Sequence, residues 1–213
     1  MTPAIASFGG WWWPLDDIHA RPVIERDCIP SIMALLAHVP GRDCIVQAGA
    51  NCGVYPVMLA DHFRSVVTCE PDPTNWLCLV KNIAARDCHK RVMAFDAAFG
   101  EEPGVCTPLV VEPHNCGAHR VNFAKGPIPV ITVDSLNLEA CDAIWGDVEG
   151  AELPMLKGAA QTIERFSPVL CLEDKGLHRA FEIPDGALQA WLAERGYSQV
   201  DRIGQDRVFQ RIT

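Results

Sequence analysis

Apolar positions in this chain alternate between two spacings. Short apolar runs bounded by turn formers read as buried strands, and longer stretches with apolar residues three and four apart read as helices. Cys44-Ile45-Val46 leads into Gln47-Ala48-Gly49-Ala50-Asn51-Cys52-Gly53, and this predicts a strand, a glycine turn and a helix over Val54 to Phe63. Val66-Val67-Thr68-Cys69 predicts a second strand ending at Glu70. Asp72-Pro73 then opens a helix, with Asp as N-cap and Pro at the first helical position. Trp76, Leu79, Val80 and Ile83 fall on one face of it, which is expected to be buried.

Val92 to Phe95 reads as the third strand, with Asp96-Ala97 just past its end. Between Gly100 and Thr132 no helical period appears. Val105 to Val111 and Ile128 to Val133 read as strands joined by a polar stretch, an inserted hairpin or small sheet extension that is the candidate substrate wall. Ala143 to Gly146 is the fourth strand, ending at Asp147. A helix over Leu153 to Phe166 follows, with Pro154 in its first turn. Pro168 to Leu172 is the fifth strand, ending at Glu173-Asp174-Lys175. Asp185 is read as the cap of a helix carrying Leu188, Trp191 and Leu192, which Gly196 stops. Tyr197 to Ile203 and Arg207 to Arg211 flank Gly204-Gln205-Asp206, an antiparallel hairpin signal. Before all of this, residues 1–22 read as an irregular arm carrying Trp11-Trp12-Trp13, and Ile24 to Val39 as a helix. The pattern predicts one α/β domain over residues 1–213. Its sheet is Rossmann-like, seven-stranded and mostly parallel, with an antiparallel C-terminal hairpin and helices on both faces. Residues 1–40 form an arm and helix, and residues 100–133 form the insertion.

The turn at Gly49 carries the first candidate chemistry. Glycines between a strand and a helix let backbone approach a ligand, while free N–H groups at the helix start face its polar part. G-x-G-x-x-G is excluded because Asn51 and Val54 stand where glycines would be needed, and no Gly-Lys-Ser or Gly-Lys-Thr follows. Glu70 lies about twenty positions on, at a strand end, where an acid accepts both ribose hydroxyls. Together they point to an adenosine-containing ligand without a pyrophosphate.

Gly49-Ala50-Asn51-Cys52-Gly53-Val54-Tyr55, Cys69-Glu70-Pro71-Asp72-Pro73 and Asp142-Ala143-Ile144-Trp145-Gly146-Asp147-Val148-Glu149-Gly150-Ala151-Glu152, followed by Leu156-Lys157-Gly158-Ala159, resemble the FkbM-type S-adenosylmethionine-dependent methyltransferases. The resemblance covers about residues 44–175 and implies a class I methyltransferase fold. It also implies S-adenosylmethionine as cofactor, S-adenosylhomocysteine as product, and an oxygen acceptor on a small molecule or glycan. Carried onto this chain, the cofactor residues are Gln47, Gly49, Ala50, Asn51, Gly53, Glu70, Pro71, Asp96, Ala97 and Asp147. Two positions depart from the family: Gln47 replaces an acid, and Trp145 a lysine.

Methyl transfer from a sulfonium needs the nucleophile, carbon and sulfur in line, and a base where the acceptor is a hydroxyl. The catalytic candidates are Asp147 and Glu149 at the fourth strand end and His119 in the insertion, with Arg120 beside it as a binder of an anionic substrate group. Glu152 is read as structural, complementing a helix dipole. A second reading lets Asp147, Glu173 and Asp174 hold a divalent magnesium or calcium ion. The net charge of −9 disfavours a nucleic-acid partner, and a nucleotide or nucleic-acid methyltransferase or a non-catalytic binding protein on the same fold remain as rivals. The ten cysteines form no C-x-x-C pair and read as reduced core thiols in a cytoplasmic protein, with zinc not expected. No signal peptide or membrane span is expected, and either a monomer or a homodimer fits.

Overall fold

A computed structural model describes residues 4–18 and 28–212. Part of the N-terminal arm and the first four residues of the helix expected from Ile24 lie outside them. In chain order the elements are β1 (Ile5–Phe8), β2 (Trp11–Pro14), α1 (Cys28–His38), β3 (Cys44–Ala48), α2 (Val54–Leu59), β4 (Ser65–Cys69), α3 (Pro73–Ala85) and β5 (Val92–Phe95). The insertion follows as β6 (Ala98–Phe99), β7 (Gly104–Leu109), β8 (Arg120–Phe123) and β9 (Ile128–Ile131). The chain closes with β10 (Ala143–Gly146), α4 (Glu152–Lys157), α5 (Ala160–Phe166), β11 (Val169–Glu173), α6 (Ala187–Ala193), β12 (Tyr197–Ile203) and β13 (Asp206–Arg211).

The main sheet has seven strands in the order β12-β13-β11-β10-β3-β4-β5. The five central and edge strands from β11 to β5 are parallel, and the C-terminal hairpin joins antiparallel through β13. Both faces are covered, which is why these strands read as unbroken apolar runs. Side chains alternate strictly between the two cores. Ile45, Val66 and Trp145 face the one built on α1, α2 and α3, while Val46, Val67 and Ile144 face the one built on α4, α5 and α6. The chain leaves β3 for β4 on one side and reaches β10 on the other. The crevice outside the strand ends between β3 and β10 is the place where such sheets bind ligands.

Within its described residues, the arm is a β-hairpin rather than irregular. Gly9 and Gly10, at φ +58° and +82°, make a two-residue turn with both residues left-handed, and β1 pairs with β2. Strand alternation then sorts the three tryptophans. Trp11 and Trp13 are buried and Trp12 faces the other way beneath the Lys81 ammonium, 4.3 Å from the ring centroid. Asn82 on α3 fastens the hairpin: its Oδ1 accepts from Trp12 N at 2.7 Å, and its Nδ2 donates to Trp12 O at 2.9 Å and Cys52 O at 2.7 Å.

Several expected boundaries shift for tertiary reasons. On α3 the buried positions include Asn75, Cys78 and Asn82, whereas Val80 is exposed, because the hairpin and the glycine turn offer polar partners on that flank. The helix expected over Leu153 to Phe166 splits into α4 and α5 at Gly158. A Cβ on Gly158 would lie 1.9 Å from the Gly100 carbonyl, so the chain bends where the insertion packs against it. Asp185 does not cap α6; it pairs with Arg179 and His178, and Gly186 at φ +80° takes the N-cap position. The insertion is a separate four-stranded sheet, β6-β9-β7-β8, in which β8 is a strand that the polar sequence before it did not suggest. All ten cysteines are free and buried, and no described helix is long and apolar enough to cross a membrane.

The Asn82 contacts make a direct test. Asn82→Ala strands the Trp12 and Cys52 backbone groups without their partners and is expected to cost about 2–4 kcal/mol of unfolding free energy by urea denaturation.

Candidate active site

The site grows from the turn after β3. Gly49 has φ +83°, and a Cβ built on it would fall 1.8 Å from the carbonyl oxygen of Asp147, so only glycine lets the ends of β3 and β10 meet. Ala50 N donates to Cys69 O at 3.0 Å and Asp147 N to Ala48 O at 3.1 Å, extending the sheet's bonding past its edge. Gly53, at φ +90°, packs where a Cβ would press on Leu79. Gln47 lies buried under this turn. Its Nε2 donates to Ala48 O and Gly49 O at 3.2 and 3.0 Å, and Thr68 Oγ1 donates to its Oε1 at 2.9 Å. A carboxylate could not donate to those two carbonyls, so glutamine braces the turn from beneath.

Glu70 closes the next side. Its Oε2 accepts from Asn51 N at 2.7 Å and its Oε1 from Asp72 N at 2.8 Å, leaving further lone pairs open. Burial, opposed by those two N–H groups and aided by the charge of Asp72, pushes its pKa up to about 7. Asp72 caps α3 through Oδ1, which accepts from Thr74 N and Asn75 N, while its Oδ2 meets His119 Nδ1 at 3.0 Å. Burial raises Asp72, but the His119 contact and the two cap N–H groups together bring its pKa below the ordinary value, while the Asp72 contact raises His119 against the effect of burial.

Opposite, at the ends of β10 and β11, the carboxyls of Asp147, Glu149 and Glu173 come within 4.8 Å of one another. Glu149 is left-handed at φ +53°. The loop that bends it inward is held by Glu152, whose Oε1 accepts from Val148 N at 3.2 Å and Gly150 N at 3.3 Å. Lys175 contacts Glu173 and lies 3.6 Å from Glu149. With one ammonium facing three clustered carboxyls, burial first, and then the charge of Asp147, push Glu173 up to about 9. Asp147 and Glu149 are also raised by burial, and the Lys175 charge pulls both back down. Despite the cost of its own burial, these acids hold Lys175 protonated.

Both halves open on one cavity of about 770 Å³, within the range of small-molecule sites. The insertion roofs it. Asn75 Nδ2 donates to Cys116 O at 3.0 Å, Cys116 N to Asp17 Oδ2 at 2.7 Å, and Ile18 N to His114 O at 3.0 Å, so α3, the arm and the roof form one unit.

Of the residues expected at the site, Gly49, Ala50, Asn51, Glu70, Pro71, His119, Asp147 and Glu149 line this cavity. Gln47 and Gly53 shape the turn without lining it. Asp96 is exposed and Ala97 buried, both away from the cavity, and Ala98 and Phe99 take the wall there. His119 is on the Glu70 side, paired with Asp72, and not among the acids of β10 and β11. Asp174 leaves the acid cluster to pair with Arg207 at 2.9 Å, and Glu149 stands in its place. Lys175 and the His119 contact of Asp72 were not anticipated, and three adjacent tryptophans, of which at least one is expected over a neighbouring surface or a ligand, do not show that Trp13 is the one at the cavity. A lysine directly after strand-end acids is a readable signal, whereas the other two depend on how distant segments meet.

Residues 47–198 match the methyltransferase FkbM domain family. Among solved structures, the chain is similar to a methyltransferase FkbM from Methylobacillus flagellatus KT, with 21% identity and a TM-score of 0.53, over 79% of this chain and 43% of that one. It is also similar to an rRNA methylase from Streptococcus thermophilus, with 10% identity and a TM-score of 0.53, over 89% of this chain and 99% of that one. Likeness at these identities concerns the fold. No curated protein matches the sequence.

Glu70 makes the site sensitive to pH. Its raised pKa means that the contribution of Glu70 to folding stability is fullest below 4.5 and is lost as pH rises through 7, where the buried carboxyl must ionise. Acceptance of two ribose hydroxyls requires the ionised form, so affinity for a nucleoside ligand moves the other way. Titration calorimetry with S-adenosylhomocysteine is expected to show about tenfold tighter binding at pH 8 than at pH 6, and Glu70→Gln should flatten that dependence.

Proposed function

The chain belongs to the FkbM methyltransferase family, and from that membership we propose that it transfers the methyl group of S-adenosylmethionine to an oxygen of a small molecule or glycan. The observation that carries this reading is a single cavity with a nucleoside-type subsite, Gly49 and Glu70, on one side and the Asp147, Glu149 and Lys175 group on the other. The residues fit that cofactor: a glycine turn, closed to any Cβ at Gly49 by the Asp147 carbonyl, that lines the cavity with backbone, a strand-end carboxylate with lone pairs to spare, and a wall of Pro71, Ala98 and Phe99 for the base. When bound, the cofactor supplies an electrophilic methyl group on sulfur.

The protein's own part is orientation and proton transfer. Gly49, Ala50 and Asn51 bring backbone to the ligand, and Glu70 holds the ribose. His119, paired to Asp72, closes the roof over the nucleoside end, a clamping role in place of the base role its residue type suggests. Asp147 takes the proton from the acceptor hydroxyl, with Glu149 beside it. Lys175 opposes the rise that burial gives both acids, supplying the positive charge that a divalent ion among these carboxyls would bring. Glu152 is a positioning residue, since it sets the loop that turns Glu149 inward. Gln47, which departs from the family pattern, is compatible with a working site because its amide braces the turn.

Calorimetry with S-adenosylmethionine tests the cofactor, and absence of binding with or without magnesium sinks the proposal. For the base, Asp147→Asn is expected to lower turnover by at least about 100-fold while cofactor affinity changes little; equal losses in both would make Asp147 a cofactor contact. Lys175→Met removes the charge that opposes that rise. The rise of activity with pH is therefore expected to begin about one unit higher or more in that variant.

A further inference from the structure

Two buried polar atoms among the described residues have no hydrogen-bond partner, and both are donors: Nε1 of Trp13 and Nε of Arg120. Both side chains line the cavity just described. Buried N–H groups are almost always satisfied, and one left without a partner costs free energy that a ligand's acceptor atom recovers. The indole of Trp13 is only 4% exposed, so solvent does not serve it. Arg120 makes no ion pair with a described carboxylate, although its charge reaches Glu149. It begins β8 directly after His119, whose ring points to Asp72 on the nucleoside side, so the roof strand divides its two side chains between the two ends of the cavity.

Resting on the methyltransferase reading, we propose that the methyl acceptor is an oxyanion-bearing molecule, a hydroxylated carboxylic acid or sugar acid, whose anionic group is bound by Arg120 and whose further oxygen is taken by Trp13. Arginine presents donors in a fixed fork suited to carboxylate, and an N–H of indole accepts nothing, so neither side chain can serve a ligand that offers only donors. No bond is made or broken at this subsite; the acceptor hydroxyl loses its proton to Asp147 and gains the methyl, and the oxyanion stays unchanged.

The probe is sodium acetate, added at constant ionic strength to full-length 15N-labelled protein saturated with S-adenosylhomocysteine. The Arg120 Nε–H signal is assigned by its loss in Arg120→Lys and followed by NMR. A saturable shift of that signal in the millimolar range is expected, and the same titration read on the Trp13 indole Nε1–H signal, assigned by its loss in Trp13→Phe, weakens about tenfold or more in Arg120→Gln. No saturable shift overturns the proposal. A third arm separates the source of the oxyanion. If S-adenosylhomocysteine alone moves the Arg120 signal and 5′-methylthioadenosine, which lacks the carboxylate, does not, Arg120 serves the cofactor and the acceptor assignment is wrong. Failure of S-adenosylhomocysteine to bind at all marks the failure of the underlying methyltransferase reading, and the acetate titration on the free protein then reads the oxyanion subsite alone.

Discussion

The contact between Gly49 and the Asp147 carbonyl is the constraint on which the site depends. It brings the ends of β3 and β10 so close that no side chain fits between them, and the sheet opens its crevice at that line. Everything functional is placed relative to it. The turn offers backbone on one side, and Asp147 leaves β10 on the other with its carboxyl already beside the cavity. Gln47 serves the same contact from below, tying two turn carbonyls to the strand beneath them.

A second consequence of close packing is the concentration of buried charge. Glu149 and Glu173 are buried and would be costly alone as carboxylates, half-buried Asp147 stands beside them, and the Lys175 ammonium reaches them from a more exposed position. Together they share one ammonium and one retained proton, so the charge is offset locally while the ionisation of each acid depends on its neighbours. Glu152, satisfied by two backbone N–H groups, fixes the loop that keeps these groups near one another.

The roof reaches the site through backbone contacts from distant parts of the chain. Asn82 joins the N-terminal hairpin to α3 and the glycine turn, and Asn75, Asp17 and His114 join the hairpin and α3 to the insertion. His119 and Arg120 are thereby held over opposite ends of one cavity. Two neighbouring residues in sequence are assigned to two different subsites because a strand turns successive side chains in opposite directions.

Short unbroken apolar runs, glycine spacing and strand-end acids are local features, and from them the sequence by itself determined the seven-stranded mostly parallel sheet, the turn at Gly49, the role of Asp72 as a helix cap and the acids at 70, 147 and 149. Local spacing also led to errors wherever a distant segment competed: Val80 lost its burial to Asn82, the helix after Leu153 broke where Gly158 meets Gly100, and Asp185 left its cap for Arg179. Only the tertiary structure decided that Asp174 turns to Arg207 while Glu173 joins Lys175, that His119 meets Asp72, that Phe99 and not Asp96 walls the cavity, and that Trp13 and Arg120 leave donors unpaired within it. The physical reason is that a side chain's partner is set by which segments fold back to within hydrogen-bond distance, and that information is carried by packing across the whole chain and not by any residue's neighbours in sequence.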